Sequence, residues 1–123
     1  MATKNGDLVS FRPDIKVLDA TLRDGGLVNN FQFSDDFVRA LYQANILAGV
    51  DYMEFGYKAD RDIFNESDFG KWKFCKDEDI RKITQGIDTD MKIAVMADVG
   101  RTNFRRDILP KEEIPIDMIR VAT

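Results

Sequence analysis

Histidine is missing altogether and cysteine occurs once, as Cys75; together these shortages remove most familiar catalytic devices. Without histidine, neither a Ser-His-Asp nor a Cys-His arrangement can be assembled from these residues. One thiolate cannot supply the ligands of a usual zinc site. Any metal chemistry is left to hard cations held mainly through oxygen, as Mg²⁺ or Mn²⁺ are. A lone cysteine forms no internal disulfide, so a reducing cytoplasm is the expected compartment. Long hydrophobic runs are lacking too. The longest is Ile93–Ala97, too short for a membrane-spanning helix, and the opening MATKNGDLVSFRPD has no apolar block of the secretory kind. Positive charge is not in excess. With 18 Lys and Arg against 22 Asp and Glu, the net charge of −4 gives no footprint for nucleic acid or an anionic membrane surface. No Walker-type or G-x-G-x-x-G phosphate loop occurs.

What is present suffices for one hydrophobic core. Of 123 residues, 44% are hydrophobic and 11% aromatic, which suits one domain of ordinary size. Residues 1–14 are polar and aperiodic and read as a leader. Lys16 to Ala20 reads as a short buried strand, followed by a glycine-marked loop, Thr21-Leu22-Arg23-Asp24-Gly25-Gly26. Ser34 is a good N-cap, Asp35 and Asp36 suit a first helical turn, and Gly49 is a natural stop, which predicts a helix over Asp35–Ala48. A second strand follows over 50–57. Residues 58–75 form a long irregular segment holding Phe64, Phe69, Trp72 and Phe74, and a loop of that length suggests function. A short helix from Asp77 to about Gln85, a third strand within Met91–Val99, a turn-rich piece over 101–114 and a fourth strand over 117–123 complete the pattern. Strands alternating with helical crossovers predict an α/β fold with a parallel sheet and right-handed connections.

The residues Asp19-Ala20-Thr21-Leu22-Arg23-Asp24-Gly25-Gly26 place an Arg-Asp pair just past the first strand, at the end where parallel α/β proteins bind ligands. Asp24 there can hold a divalent cation, and Arg23 can stabilise negative charge developing on an oxygen. The bland alternative is a surface ion pair around a glycine turn.

The stretch also resembles the D-x-T-L-R-D-G signature of the pyruvate carboxyltransferase-like enzymes, the DRE-TIM metallolyases. These include isopropylmalate and homocitrate synthases, hydroxymethylglutaryl-CoA lyase and 4-hydroxy-2-oxovalerate aldolase. Ala48-Gly49-Val50-Asp51-Tyr52-Met53-Glu54-Phe55-Gly56 is similar to the family's second-strand segment A-G-V-D-x-I-E-x-G, and Ile119 to Thr123 resembles the fourth strand of its aldolase branch. Gly70 to Cys75 is similar to a subgroup known only as aldolase catalytic domain proteins. The resemblance implies that residues 15–123 are the N-terminal half of a TIM (β/α)₈ barrel, a fold that takes about 250 residues when complete. It implies an aldolase or lyase acting on a 2-oxo acid with Mg²⁺ or Mn²⁺. By matching position, Asp24 would bind the metal and Arg23 would stabilise the enolate. Glu54 would stand near that arginine as a second catalytic residue, and Thr123 would face the substrate. Asp19 would orient Thr21 or Arg23. Two departures stand out: the family's H-x-H metal ligands have no counterpart here, and Leu27 occupies the position of the aldolases' basic histidine.

Other features carry two readings each. Phe69, Trp72 and Phe74 fit a packed minor core better than a pocket wall. Cys75 reads as a small buried hydrophobe. Arg101, Arg105, Arg106 and Lys111 fit a solvated face better than a phosphate site. Asp98 fits the catalytic rim and a structural hydrogen bond equally. Asn29 or Asn30 could position a substrate. The open strand edges imply self-association or the missing C-terminal half of the barrel. A non-catalytic half-barrel serving as an assembly or binding module is the alternative to the enzyme.

Overall fold

The computed structural model describes residues 14–123, so the expected leader lies, apart from Asp14, outside the described residues. Four strands, β1 (Leu18–Asp19), β2 (Tyr52–Tyr57), β3 (Lys92–Asp98) and β4 (Met118–Ala122), form one sheet in the order β1-β2-β3-β4. All neighbouring pairs are parallel. The helices are α1 (Thr21–Asn29), α2 (Asp35–Ala48), α3 (Asp77–Thr84) and α4 (Phe104–Asp107). This is the expected α/β architecture, an open sheet of consecutive βα units with no closed barrel among the described residues. No helix among those residues is long and apolar enough to cross a membrane.

α2 occupies the predicted residues because its ends are written locally. The Ser34 side chain accepts from the Phe37 N–H at 3.1 Å, and Gly49 leaves the helix at φ 78°, a left-handed conformation glycine takes without a Cβ penalty. Its buried residues Val38 and Tyr42 meet the sheet face carrying Met53, Phe55, Ile93 and Val95, and Ile80 and Ile83 of α3 close the same core. Residues alternate along a strand, so Glu54, Ala94 and Met96 point to the opposite face. Arg120 lies opposite Met96 in the β3–β4 register.

The first departure from expectation is α1. The glycine-marked loop after β1 is a helix, Thr21–Asn29. The glycine pair serves packing: a Cβ on Gly26 would run into the Phe31 ring. Glycine costs a helix about 1 kcal/mol relative to alanine. Burial of Leu22 and the seating of Phe31 beside Gly26 offset that cost. The chain then reverses through Asn30 at φ 56° and Phe31 at φ 62°.

The segment after β2 is irregular but well tied. Ala59 N–H donates to Lys73 O at 3.1 Å, Asp60 N–H to Arg101 O at 2.8 Å, and Gly70 N–H to Asn30 O at 2.8 Å. Lys58, almost fully buried, donates to Asp77 at 3.0 Å and pins the segment to α3. Trp72 and Phe74 are buried in the core, as the packing reading expected, with the Trp72 ring 5.5 Å from Phe55.

Candidate active site

β1 ends at Asp19, whose carboxylate is consumed by structure. Its Oδ1 accepts from the Thr21 hydroxyl at 2.7 Å and its Oδ2 from the Asn45 amide of α2 at 3.1 Å. Asp19 thus orients Thr21, fixing the start of α1 and the direction in which the next two residues project.

Arg23 projects from the first turn of α1 toward β2. Its Nε donates to Glu54 Oε1 at 2.9 Å. Glu54 is fully buried, and it also accepts from Arg120 twice: Nε to Oε2 at 2.7 Å and Nη2 to Oε1 at 2.7 Å. One carboxylate therefore holds two guanidiniums, from opposite sides of the sheet segment, in charge-assisted contact. Burial alone would raise the Glu54 carboxyl, but the hydrogen bonds from Arg120 and Arg23 outweigh it and hold the group below the ordinary range. Burial likewise works against the Arg23 cation, and its hydrogen bond with Glu54, together with the nearness of Tyr57, more than reverses that.

Linkage gives this a measurable consequence. A carboxyl lowered from 4.5 on folding contributes stability that is fully present above about pH 4.5 and lost as pH falls through the folded value. Glu54→Gln is expected to flatten that part of the acid limb. Urea midpoints of wild type and variant between pH 3 and 7 would converge toward the acid end, and a constant gap over the whole range would contradict the assignment.

Asp24, the next residue, points outward. Its side chain is 74% exposed and lies 3.5 Å from Arg23. Among the described residues no group of three or more His, Cys, Asp or Glu converges. Asp24 therefore offers a hard oxygen donor of the type Mg²⁺ and Mn²⁺ take, but as a single ligand. Thr123 follows β4 at the same end of the sheet and is exposed.

A cavity of about 410 Å³ lies at the C-terminal ends of β2 and β3, lined by Leu27, Tyr57, Phe64, Lys73, Asp98 and Arg101 among others. The Lys73 ammonium stands 4.2 Å from the Phe64 ring centroid, 5.2 Å from those of Tyr57 and Phe69, and 5.5 Å from Phe31. Burial pushes it below the ordinary lysine range; Asp98 opposes the shift and Arg101 adds to it.

Several expected candidates are otherwise occupied. Both ends of the Asn29 amide bond the backbone of Phe31 and Gln32. Arg106 is held by Asp60, Asp62 and Asp107, and Lys111 by Asp117, so the basic cluster does not converge on one point. Burial raises the Cys75 thiol far above its ordinary value, which leaves it inert as a nucleophile. The Asp98 side chain faces the cavity, while its N–H lies 3.2 Å from the Thr102 hydroxyl. Arg120 and Lys73 were not among the sequence candidates. An arginine inside the apolar run Met118-Ile119-Arg120-Val121-Ala122 was the available signal for the first.

Comparison with known proteins fits this picture. No protein-family model matches the chain. The crystal structure of the N-terminal domain of a candidate aldolase from Bacteroides vulgatus superposes with a TM-score of 0.68 at 30% identity, covering 89% of this chain and 36% of that one. A 41-residue stretch, 33% of this chain, is 46% identical to an oxaloacetate decarboxylase of Mycobacterium tuberculosis, of which it covers 12%. The chain is thus similar to proteins carrying lyase-type names and spans little more than a third of their length at most.

Proposed function

We propose that these residues are the N-terminal half of a TIM-type barrel in a lyase that makes or breaks a C–C bond beside the carbonyl of a 2-oxo acid. The observation that carries the reading is the Arg23 guanidinium, fixed by the buried Glu54 carboxylate at the C-terminal end of a parallel sheet. Breaking such a bond leaves negative charge on an enolate oxygen. A donor oriented beforehand costs no reorganisation when that charge appears, and this is where most of the rate gain of such sites originates. Arg23 supplies that donor. Glu54, kept ionised by two guanidiniums, positions Arg23 and is not a proton carrier near neutral pH. Asp24 would be one ligand of a Mg²⁺ or Mn²⁺ ion, whose remaining ligands would have to come from outside the described residues. When bound, such an ion supplies Lewis-acid polarisation of the substrate oxygens. Thr123, at the same rim, would contact the substrate. The names of the similar proteins, an aldolase and an oxaloacetate decarboxylase, support a reaction of this class.

The test is an assay of pyruvate release by the complete protein from 2-oxo acid substrates in Mn²⁺. Turnover abolished by chelation and restored by Mn²⁺ or Mg²⁺ is expected. Turnover indifferent to chelation would overturn the metal assignment, and absence of any release would overturn the lyase.

A further inference from the structure

The cavity beside Lys73 is separate from the Arg23–Glu54–Arg120 group, none of whose members lines it. Its lining combines apolar Leu27, Ile63, Phe64 and Tyr57 with the polar Lys73, Arg101, Asp98 and Thr102. Two cations face one carboxylate there. Among the described residues neither Lys73 nor Arg101 has a carboxylate within salt-bridge distance, whereas Arg23, Arg106, Arg120, Lys58 and Lys71 each do. An ammonium so placed is unusual. Four rings remove water from around Lys73 and return only cation–π attraction, worth about 0.5–2 kcal/mol at each site. A partner with negative charge would gain more from this position than from a solvated lysine, because the surroundings screen the interaction less.

Tyr57 gives the cavity its direction. Its ring lies 5.2 Å from the Lys73 ammonium and it stands three residues after Glu54, the partner of Arg23, on β2, while Leu27, one helical turn past Arg23 on α1, lines the same cavity. A molecule with its reacting oxygen at Arg23 therefore meets Lys73 with a part some distance further along. We propose that this cavity is the subsite for a second, negatively charged group at the far end of the substrate, with Lys73 as the specificity-determining cation and Arg101 and Thr102 at its rim. The substrate class is then a 2-oxo acid bearing a further carboxylate or similar anion, with a short apolar body lying against Leu27 and Phe64. This inference rests on the lyase reading for the identity of the near end, and not for the anion site itself.

Two measurements on the complete protein separate the two claims. The first is steady-state kinetics with a 2-oxo acid that carries a second carboxylate and one that does not. Lys73→Met is expected to raise KM for the first by on the order of 10–100-fold, the value of a hydrogen bond to a charged group, and to leave the second unchanged. Lys73→Arg should restore most of the loss, because charge rather than basicity is what the subsite uses. Since Lys73→Met also alters the ring cluster, Arg101→Ala at the exposed rim provides a second route, expected to raise the same KM selectively. Equal changes for both substrates, or none for either, would overturn the subsite. The second measurement is binding of succinate against acetate by NMR titration. Binding of succinate lost in Lys73→Met supports the subsite even if no lyase activity is found. A protein that turns over 2-oxo acids yet binds succinate and acetate alike, with or without Lys73, overturns it while leaving the lyase intact.

Discussion

Replacing Arg23 with alanine in the complete protein is expected to lower kcat on a 2-oxo acid by on the order of 10²–10³, with a much smaller change in KM. That is the usual loss when one preorganised donor to a developing oxyanion is removed. The effect falls on kcat because the guanidinium is stronger for the charged enolate oxygen than for the neutral carbonyl of the ground state. Stability should hardly move. Without Arg23, Glu54 still accepts both bonds from Arg120, at 2.7 Å each, so its buried charge stays compensated. Arg23→Lys should recover little, since a lysine ammonium cannot reproduce the planar donor that Glu54 orients through Nε. Steady-state kinetics alongside a urea titration of each variant would check this pairing of a large kinetic and a small stability effect.

Glu54→Ala should do the reverse. It removes the one carboxylate that sits between two guanidiniums and leaves them facing each other across a small cavity. Breaking a buried pair from one side costs about 3–5 kcal/mol. Here the lower end is expected, about 3 kcal/mol, because the Arg120 side chain is 41% exposed and can turn toward water. A fall of that size in the unfolding free energy, with an unchanged urea slope, is the expected result. A variant as stable as the wild type would mean that the bridge contributes no more than an exposed ion pair does.

Much of this was legible in the chain because the signals are local. Ser34 and Gly49 mark both ends of α2, apolar strands alternating with helices predicted the parallel sheet, and the half-barrel implied by the resemblance carried the order β1-β2-β3-β4. The Arg-Asp pair was recognisable from its place after β1, and the closeness of Glu54 to Arg23 followed from the resemblance. What was missed depends on contacts remote in sequence. Gly25 and Gly26 carry the local mark of a loop, and only Phe31 against Gly26 shows why a helix tolerates them. Arg120 lies 66 positions from Glu54, so its part in the cluster appears only once β3 separates β2 from β4 in register. Lys73 was one lysine in a charged loop. Its four rings come from residues 31, 57, 64 and 69, and no spacing rule brings those together.

The measurement that bears most directly on the account is proton exchange at the methyl carbon of pyruvate, followed by NMR in D₂O with the complete protein and Mn²⁺ or Mg²⁺. Exchange reports enolate formation itself, by loss of a methyl proton, without C–C bond cleavage or product release. Wild type should catalyse it, and Arg23→Ala should exchange more slowly by on the order of 10²–10³. Exchange in Arg23→Ala equal to that of wild type, or a wild type that cleaves 2-oxo acids without exchanging the methyl protons, would contradict the claim that Arg23 on Glu54 is an enolate-stabilising device.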